Sequence, residues 1–162
     1  MYCFDANIWV YYFNTDLPEH SAVVDHVRDA LRTQPLFTTT VLQMEVVHYL
    51  HTQHADASSA IDRFLGLEDV AVAELRPDDV ETAVETLEAH PGVGIGGRDA
   101  TIIATMKRHN LSQLWTHDTA LLDLGDRLDW LHAVDPVNSH NNHYQTHPDH
   151  SSPSSSISSA GS

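Results

Sequence analysis

A chain of 162 residues with 41% apolar side chains is long enough for one domain with its own core. The lone cysteine, Cys3, excludes an intrachain disulfide. No run approaches the roughly 18 consecutive apolar residues of a membrane span, and no basic-then-apolar leader precedes the first acid, Asp5. These features predict a soluble, cytoplasmic protein without a membrane partner. The charge says more. Acids number 23 against 8 bases, with Lys107 the only lysine, and the net charge is −15. Such a polyanion disfavours nucleic acid binding at low salt. In about 1 M salt the Debye length falls to about 3 Å and the repulsion is mostly screened. The composition is that expected of a protein from a salt-loving cell, such as a halophilic archaeon.

In chain order, Tyr2 to Asp5 reads as a short buried strand, followed by a turn and further apolar residues. From Pro18, the apolar positions Ala22, Val23, Val27, Ala30 and Leu31 have helical spacing, and Pro35 ends that helix. LFTTT is a second strand. TVLQMEVVHYLHTQ, Thr40 to Gln53, is a helix with Thr39 or Thr40 as its cap. DASSAIDRFLGL is a helix capped by Asp56 and ending near Gly66, and DVAVAEL alternates as a strand does. PDDVETAVETLEAH opens with Pro77 and acids, a strong helix start. PGVGIGG is a flexible loop, RDATIIATMKRHN a helix and SQLWTH a strand. A short helix over Asp118 to Leu124 and a last strand, WLHAV, close the domain at about residue 137.

Strands alternating with helices predict an α/β fold, with a mainly parallel sheet of four or five strands between two helical layers. From Asn138 the composition turns to Ser, His and Asn, which cannot bury enough apolar surface to order itself. Residues 138–162 are therefore expected to be a disordered tail. His140, His143, His147 and His150 are read as polar tail residues rather than metal ligands.

Ligands of an open parallel sheet bind beyond the carboxyl ends of its strands. Asp5 ends the first strand, and Asp118 follows SQLWTH. Asp99 sits in the first turn of the helix after the glycine loop, and Glu45 early in the helix after LFTTT. The pattern thus predicts four carboxylates at one end of the sheet. A hard divalent cation, Mg²⁺ or Mn²⁺, offsets their mutual repulsion and suits oxygen donors. Such an ion can position and acidify a water for phosphodiester hydrolysis. No Ser-His-Asp or Cys-His pattern competes. Each acid also has a plainer reading. Asp5 and Asp118 can cap helices, Asp99 can favour its helix dipole, and Glu45 can be surface charge.

The order DANIWVYY, a T-V-L-x-x-E helix, RDATIIATMKRHNL and LWTHD resembles the PIN-domain ribonucleases, and among them the VapC-type toxins of toxin–antitoxin pairs. The resemblance spans Tyr2 to about Pro136. It implies a three-layer fold, Mg²⁺- or Mn²⁺-dependent cleavage of RNA, a homodimer and inhibition by a cognate antitoxin. Asp5, Glu45, Asp99 and Asp118 match the family's acidic quartet, as catalytic and metal-binding residues. Asn7 and Thr116 match its supporting polar positions. Two departures stand out. His117 and Thr119 flank Asp118 where a basic residue is usual, and the basic surface that would attract RNA is missing.

Arg98 can either contact a phosphate or pair with one of the acids. Trp9, Tyr11, Tyr12 and Phe13 read as core or dimer surface. Gly92, Gly94 and Gly97 spell GxGxxG, but they follow a helix rather than a strand, so no dinucleotide site is expected. Glu45 and His48 form an E-x-x-H pair with no second pair to make a di-iron site. His48, His51 and His54 read as surface residues. The alternatives to a toxin nuclease are routine RNA processing, or a PIN-like scaffold acting as a non-catalytic binding module. A phosphotransfer receiver fits poorly, because Lys107 lies well down its helix from Asp99.

Overall fold

The protein is described by a computed structural model, which covers residues 1–53 and 55–139. Five strands form one sheet: β1 (Tyr2–Phe4), β2 (Leu36–Thr39), β3 (Val70–Ala73), β4 (Gln113–Trp115) and β5 (His132–Val134). Their order is β3-β2-β1-β4-β5, and all four pairings are parallel. Eight helices connect and flank them among the described residues: α1 (Ala6–Phe13), α2 (His20–Thr33), α3 (Thr40–Gln53), α4 (Ala57–Leu65), α5 (Pro77–Ala89), α6 (Gly97–Arg108), α7 (Thr119–Gly125) and α8 (Pro136–Ser139). Right-handed crossovers place α1 to α4 on one face of such a sheet and α5 to α7 on the other. The packing agrees: α1 lies against α2 and α3, α3 against α4, and α5 against α6.

The elements follow from the residues that form them. Cys3 and Phe4 of the central strand are buried, as a strand covered on both faces requires. β3 is an edge strand, so Ala71 and Val72 remain exposed. The backbone N–H of Leu42 donates to the Thr39 hydroxyl at 3.1 Å, which identifies Thr39 as the residue that starts α3. Asp79, in the first turn of α5, accepts from the Arg76 backbone N–H at 2.8 Å. It also takes both arms of the Arg108 guanidinium at 2.8 and 2.9 Å. That fork ties α5 to the end of α6 and holds the Asp79 carboxyl below the usual carboxylate range.

Two expectations need correction. The segment after Asp5, expected as a turn and apolar residues, is helix α1. Its Ile8, Trp9 and Phe13 are buried, with Trp9 packed among Phe4, Phe13 and Phe64 at centroid separations of 5.2 to 6.3 Å. The glycine loop is pinned rather than free, because Val93 and Ile95 are buried and Gly97 already begins α6. Within it only Gly94, at φ 85°, uses the left-handed conformation that favours glycine. α8 carries the described chain through residue 139. The rest of the expected tail and its histidines, like His54, lie outside the described residues. No helix among the described residues is long and apolar enough to cross a membrane.

Candidate active site

A parallel sheet points every strand's carboxyl end, and the amino end of the helix that follows, toward one edge. Asp5 lies one residue beyond β1, where its backbone N–H still donates to Trp115 at 2.9 Å. Thr116 lies one residue beyond β4 and donates likewise to Val134 at 3.0 Å. The central pairing of β1 with β4 therefore sets these two residues side by side. The Thr116 hydroxyl donates to Oδ2 of Asp5 at 2.7 Å, and Asn7 Nδ2 donates to the same oxygen at 2.9 Å. Oδ1 of Asp5 accepts from the Ala6 N–H at 2.7 Å and so caps α1. One carboxylate oxygen thus caps α1 while the other is held by Thr116 and Asn7.

The other acids follow the same rule. Oδ1 of Asp118 caps α7 by accepting from Ala120 at 2.7 Å and Leu121 at 3.4 Å. Its backbone N–H donates to the Thr116 hydroxyl at 3.0 Å, so one oxygen atom links Asp118 to Asp5. Oδ2 of Asp99 accepts from the Gly96 N–H at 3.0 Å, in the opening turn of α6. Glu45 faces the same region from α3, with its Oε1 3.0 Å from Nη2 of Arg98. Arg98 thus pairs with an acid, the second of its two expected roles. The positive ends of α1, α6 and α7 converge here and partly offset the acids' repulsion.

Electrostatics shows which acids share a field. Burial pushes the Asp5 carboxyl up to about 6, against the hydrogen bonds from Thr116 and Ala6 that favour its charged form; the charges of Asp99 and Glu45 raise it further. Burial also raises Glu45, the Arg98 guanidinium opposes that rise, and Asp99 adds to it. Asp5, Glu45 and Asp99 therefore share one field, while Asp118 is linked to Asp5 through its backbone N–H and Thr116.

The chemistry of the donors fits a hard divalent cation: carboxylates at the surface of the site, with a hydroxyl and an amide behind them. Oδ1 of Asp99, Oδ2 of Asp118 and Oε2 of Glu45 accept no hydrogen bond from the described residues. The side chains do not stand closed around a point. Among the described residues, no three His, Cys, Asp or Glu side chains are placed to hold one ion as they are. Beside Glu45 and Arg98 runs an open cavity of about 940 Å³ along α3, lined by Val41, Met44, His48, Tyr49 and Leu75 among others. His48 and His51 are exposed, as expected.

Three residues at this edge are not singled out as site residues by the sequence: Tyr11, read as core or dimer surface, His117, noted only as a neighbour of Asp118, and Asp135. Tyr11 packs its ring against that of His117 at 5.8 Å. Its phenol is raised by burial and by the charges of Glu19, Asp135 and Asp5. His117 Nδ1 lies 2.9 Å from Oδ2 of Asp135. Asp135 follows β5 directly, so the rule that singled out Asp5 applied to it too.

An all-parallel α/β domain whose carboxyl edge gathers acids over helix amino ends belongs to the class of folds that carry an acidic site at that edge. More particularly, this chain belongs to the PIN-domain family: the PIN-domain model matches residues 2–126. Among solved structures it is similar to VapBC2 of Rickettsia felis, bound to a DNA fragment from its promoter. The identity is 16%, over 83% of this chain and 97% of that one, with a TM-score of 0.61. It is also similar to VapC20 of Mycobacterium tuberculosis, described as a sarcin-ricin loop cleaving toxin. Here the identity is 21%, over 77% and 95% of the two chains, with a TM-score of 0.64. A toxin–antitoxin complex from Klebsiella pneumoniae is similar at 21% identity, over 84% and 98%, with a TM-score of 0.57. At these identities the likeness carries the fold. No curated protein matches the sequence.

Proposed function

We propose that this protein is an endoribonuclease that hydrolyses RNA phosphodiester bonds with Mg²⁺ or Mn²⁺, and that it is the toxin of a toxin–antitoxin pair. The observation that carries this reading is the buried Asp5 carboxylate, held at the carboxyl edge of the sheet by the Thr116 hydroxyl and the Asn7 amide, within the field of Asp99 and Glu45. A charge cluster of that kind, kept at the open edge of a sheet, is stabilised by a cation. Membership of the PIN family supports the nuclease class, and similarity to toxin–antitoxin structures supports the toxin role and an antitoxin partner.

In this reading Asp5, Asp99 and Asp118 would hold the ion after their side chains draw together, with Glu45 joining directly or through water. An ion held there would supply Lewis acidity toward the attacking water and the leaving oxygen. Asn7 and Thr116 keep the Asp5 carboxylate oriented. Arg98, on leaving Glu45, meets the phosphate of the bound strand. With a net charge of −15, the chain relies on high salt in the cytoplasm of a salt-loving cell to admit a polyanion. The exposed Met44, Val72, Leu75, Val80 and Val84 supply apolar surface for a homodimer.

The test is RNA incubated with the protein in molar KCl and Mn²⁺, then with chelator, and then with Asp5→Asn or Asp99→Asn. Loss of cleavage in all three cases is expected. Cleavage that survives any of them overturns the metal mechanism. Mn²⁺ binding without cleavage of any RNA would instead favour the non-catalytic scaffold.

A further inference from the structure

The edge strand β5 delivers a fifth acid to the carboxyl end of the sheet, and its contacts run back to Asp5. Asp135 takes Asn138 Nδ2 at 2.6 Å on Oδ2 and the Val137 N–H at 2.9 Å on Oδ1, so the start of α8 holds it in place. The same Oδ2 meets His117 Nδ1 at 2.9 Å, with the Asp135 side chain only 11% exposed. A carboxylate only accepts, so this contact puts the proton on Nδ1 and defines the orientation of the ring. Tyr11 closes the ring's other side, at 5.8 Å and nearly perpendicular.

The backbone N–H of His117 donates to Oδ1 of Asn7 at 3.3 Å. That leaves Nδ2 of the same amide facing Asp5 Oδ2 at 2.9 Å and the Thr116 hydroxyl at 3.4 Å. One residue on, Asp118 donates its own N–H to Thr116. The turn over residues 116–118 therefore carries a candidate ligand, one direct contact to Asp5 and the anchor of the Asn7 amide that makes another. It hangs between a three-residue strand and a seven-residue helix.

We infer that Asp135 and His117 form a clamp that positions the Thr116–Asp118 turn, and that this clamp sets the affinity of the carboxylate site for a divalent cation. They are positioning residues rather than ligands, and the inference rests on the metal-site reading above. Partners bonded directly to a ligand are typically worth about 10- to 100-fold in metal affinity; the clamp acts one residue removed from its ligand, so the low end of that range applies. The clamp adds a side-chain tie beyond β5 to the backbone bond that Thr116 already makes to Val134.

The experiment titrates Mn²⁺ into the full chain in molar KCl by calorimetry, with thermal melts of every variant. His117→Ala and Asp135→Ala should bind Mn²⁺ roughly 10-fold more weakly than wild type while still melting cooperatively. Asp135→Asn keeps an oxygen for the Nδ1 proton and should recover to within a few-fold. If Asp135→Ala fails to fold, His117→Ala decides, because it leaves the bonds of Asp135 to α8 in place. Unchanged Mn²⁺ affinity in folded His117→Ala, or Asp135→Asn as weak as Asp135→Ala, overturns the clamp alone, provided Asp5→Asn weakens binding. A wild-type chain that binds no Mn²⁺, or Asp5→Asn binding as tightly as wild type, overturns the metal-site reading and the clamp with it.

Discussion

The Thr116 hydroxyl reaches Oδ2 of Asp5 across 2.7 Å, joining the ends of two neighbouring strands that are 111 positions apart in sequence. The Thr116 hydroxyl oxygen in turn accepts from the Asp118 N–H at 3.0 Å, and Thr116 is fully buried. A buried carboxylate that loses such a donor keeps its desolvation cost without the compensation. Thr116→Val is therefore expected to destabilise the fold by about 1–3 kcal/mol. It should also push the Asp5 carboxyl higher, since this bond favours the ionised form. Chemical denaturation and an NMR titration of the Asp5 carboxyl would measure both, and Thr116→Ser, which retains the hydroxyl, should stay close to wild type.

Asp5 also makes a statement about pH. Its carboxyl titrates at about 6 in the fold against an ordinary 3.8. A raised acid contributes stability that is fully present below the unfolded value and lost as pH rises through the folded one. Between pH 4 and 7 the wild type should thus lose about 2 kcal/mol that Asp5→Asn does not lose. Parallel melts of the two proteins across that range give the difference directly; curves of identical shape would rule out the raised carboxyl. Protons compete with the cation for the same oxygens, so Mn²⁺ should bind more weakly at pH 5 than at pH 7.

Arg98 and Glu45 are an ion pair whose side chains are 59% and 25% exposed. Exposed pairs contribute little to stability, about 0–1 kcal/mol. Arg98→Ala should accordingly leave the thermal midpoint nearly unchanged. It should raise KM for RNA several-fold, by removing a phosphate contact, and tighten Mn²⁺ binding, by removing a competitor for Glu45. Steady-state kinetics and calorimetry separate these effects. A change in the melt alone would make the pair merely structural.

The net charge of −15 leads to a simpler measurement. Self-repulsion among so many acids is relieved when the screening length shrinks to about 3 Å in molar salt. The thermal midpoint should rise by at least several degrees between dilute buffer and molar KCl. A midpoint that stayed level would remove the salt-loving origin from the argument.

Much of this protein was legible in its sequence. Strand and helix periods are local properties, so the five strands, the long amphipathic helices and the acids at element ends could be placed before any fold was known. α1 escaped because Ile8, Trp9 and Phe13 are buried while the residues between them are aromatic or apolar as well, which leaves little polar face to mark a helical period. α8 escaped because four residues are too few to show one.

What only the tertiary structure decided is which of these pieces stand together. β4 lies beside β1, although two strands and their helices intervene in the sequence, and β5 follows beyond β4. That order alone brings Thr116 to Asp5 and lets Asp135 reach His117. Likewise Arg98 meets Glu45 because α6 and α3, from opposite faces of the sheet, touch at its carboxyl edge. Local pattern fixes the direction a strand runs and the end at which its acid falls. The partner of that acid depends on strand order, and strand order is settled by the burial and packing of the whole chain at once.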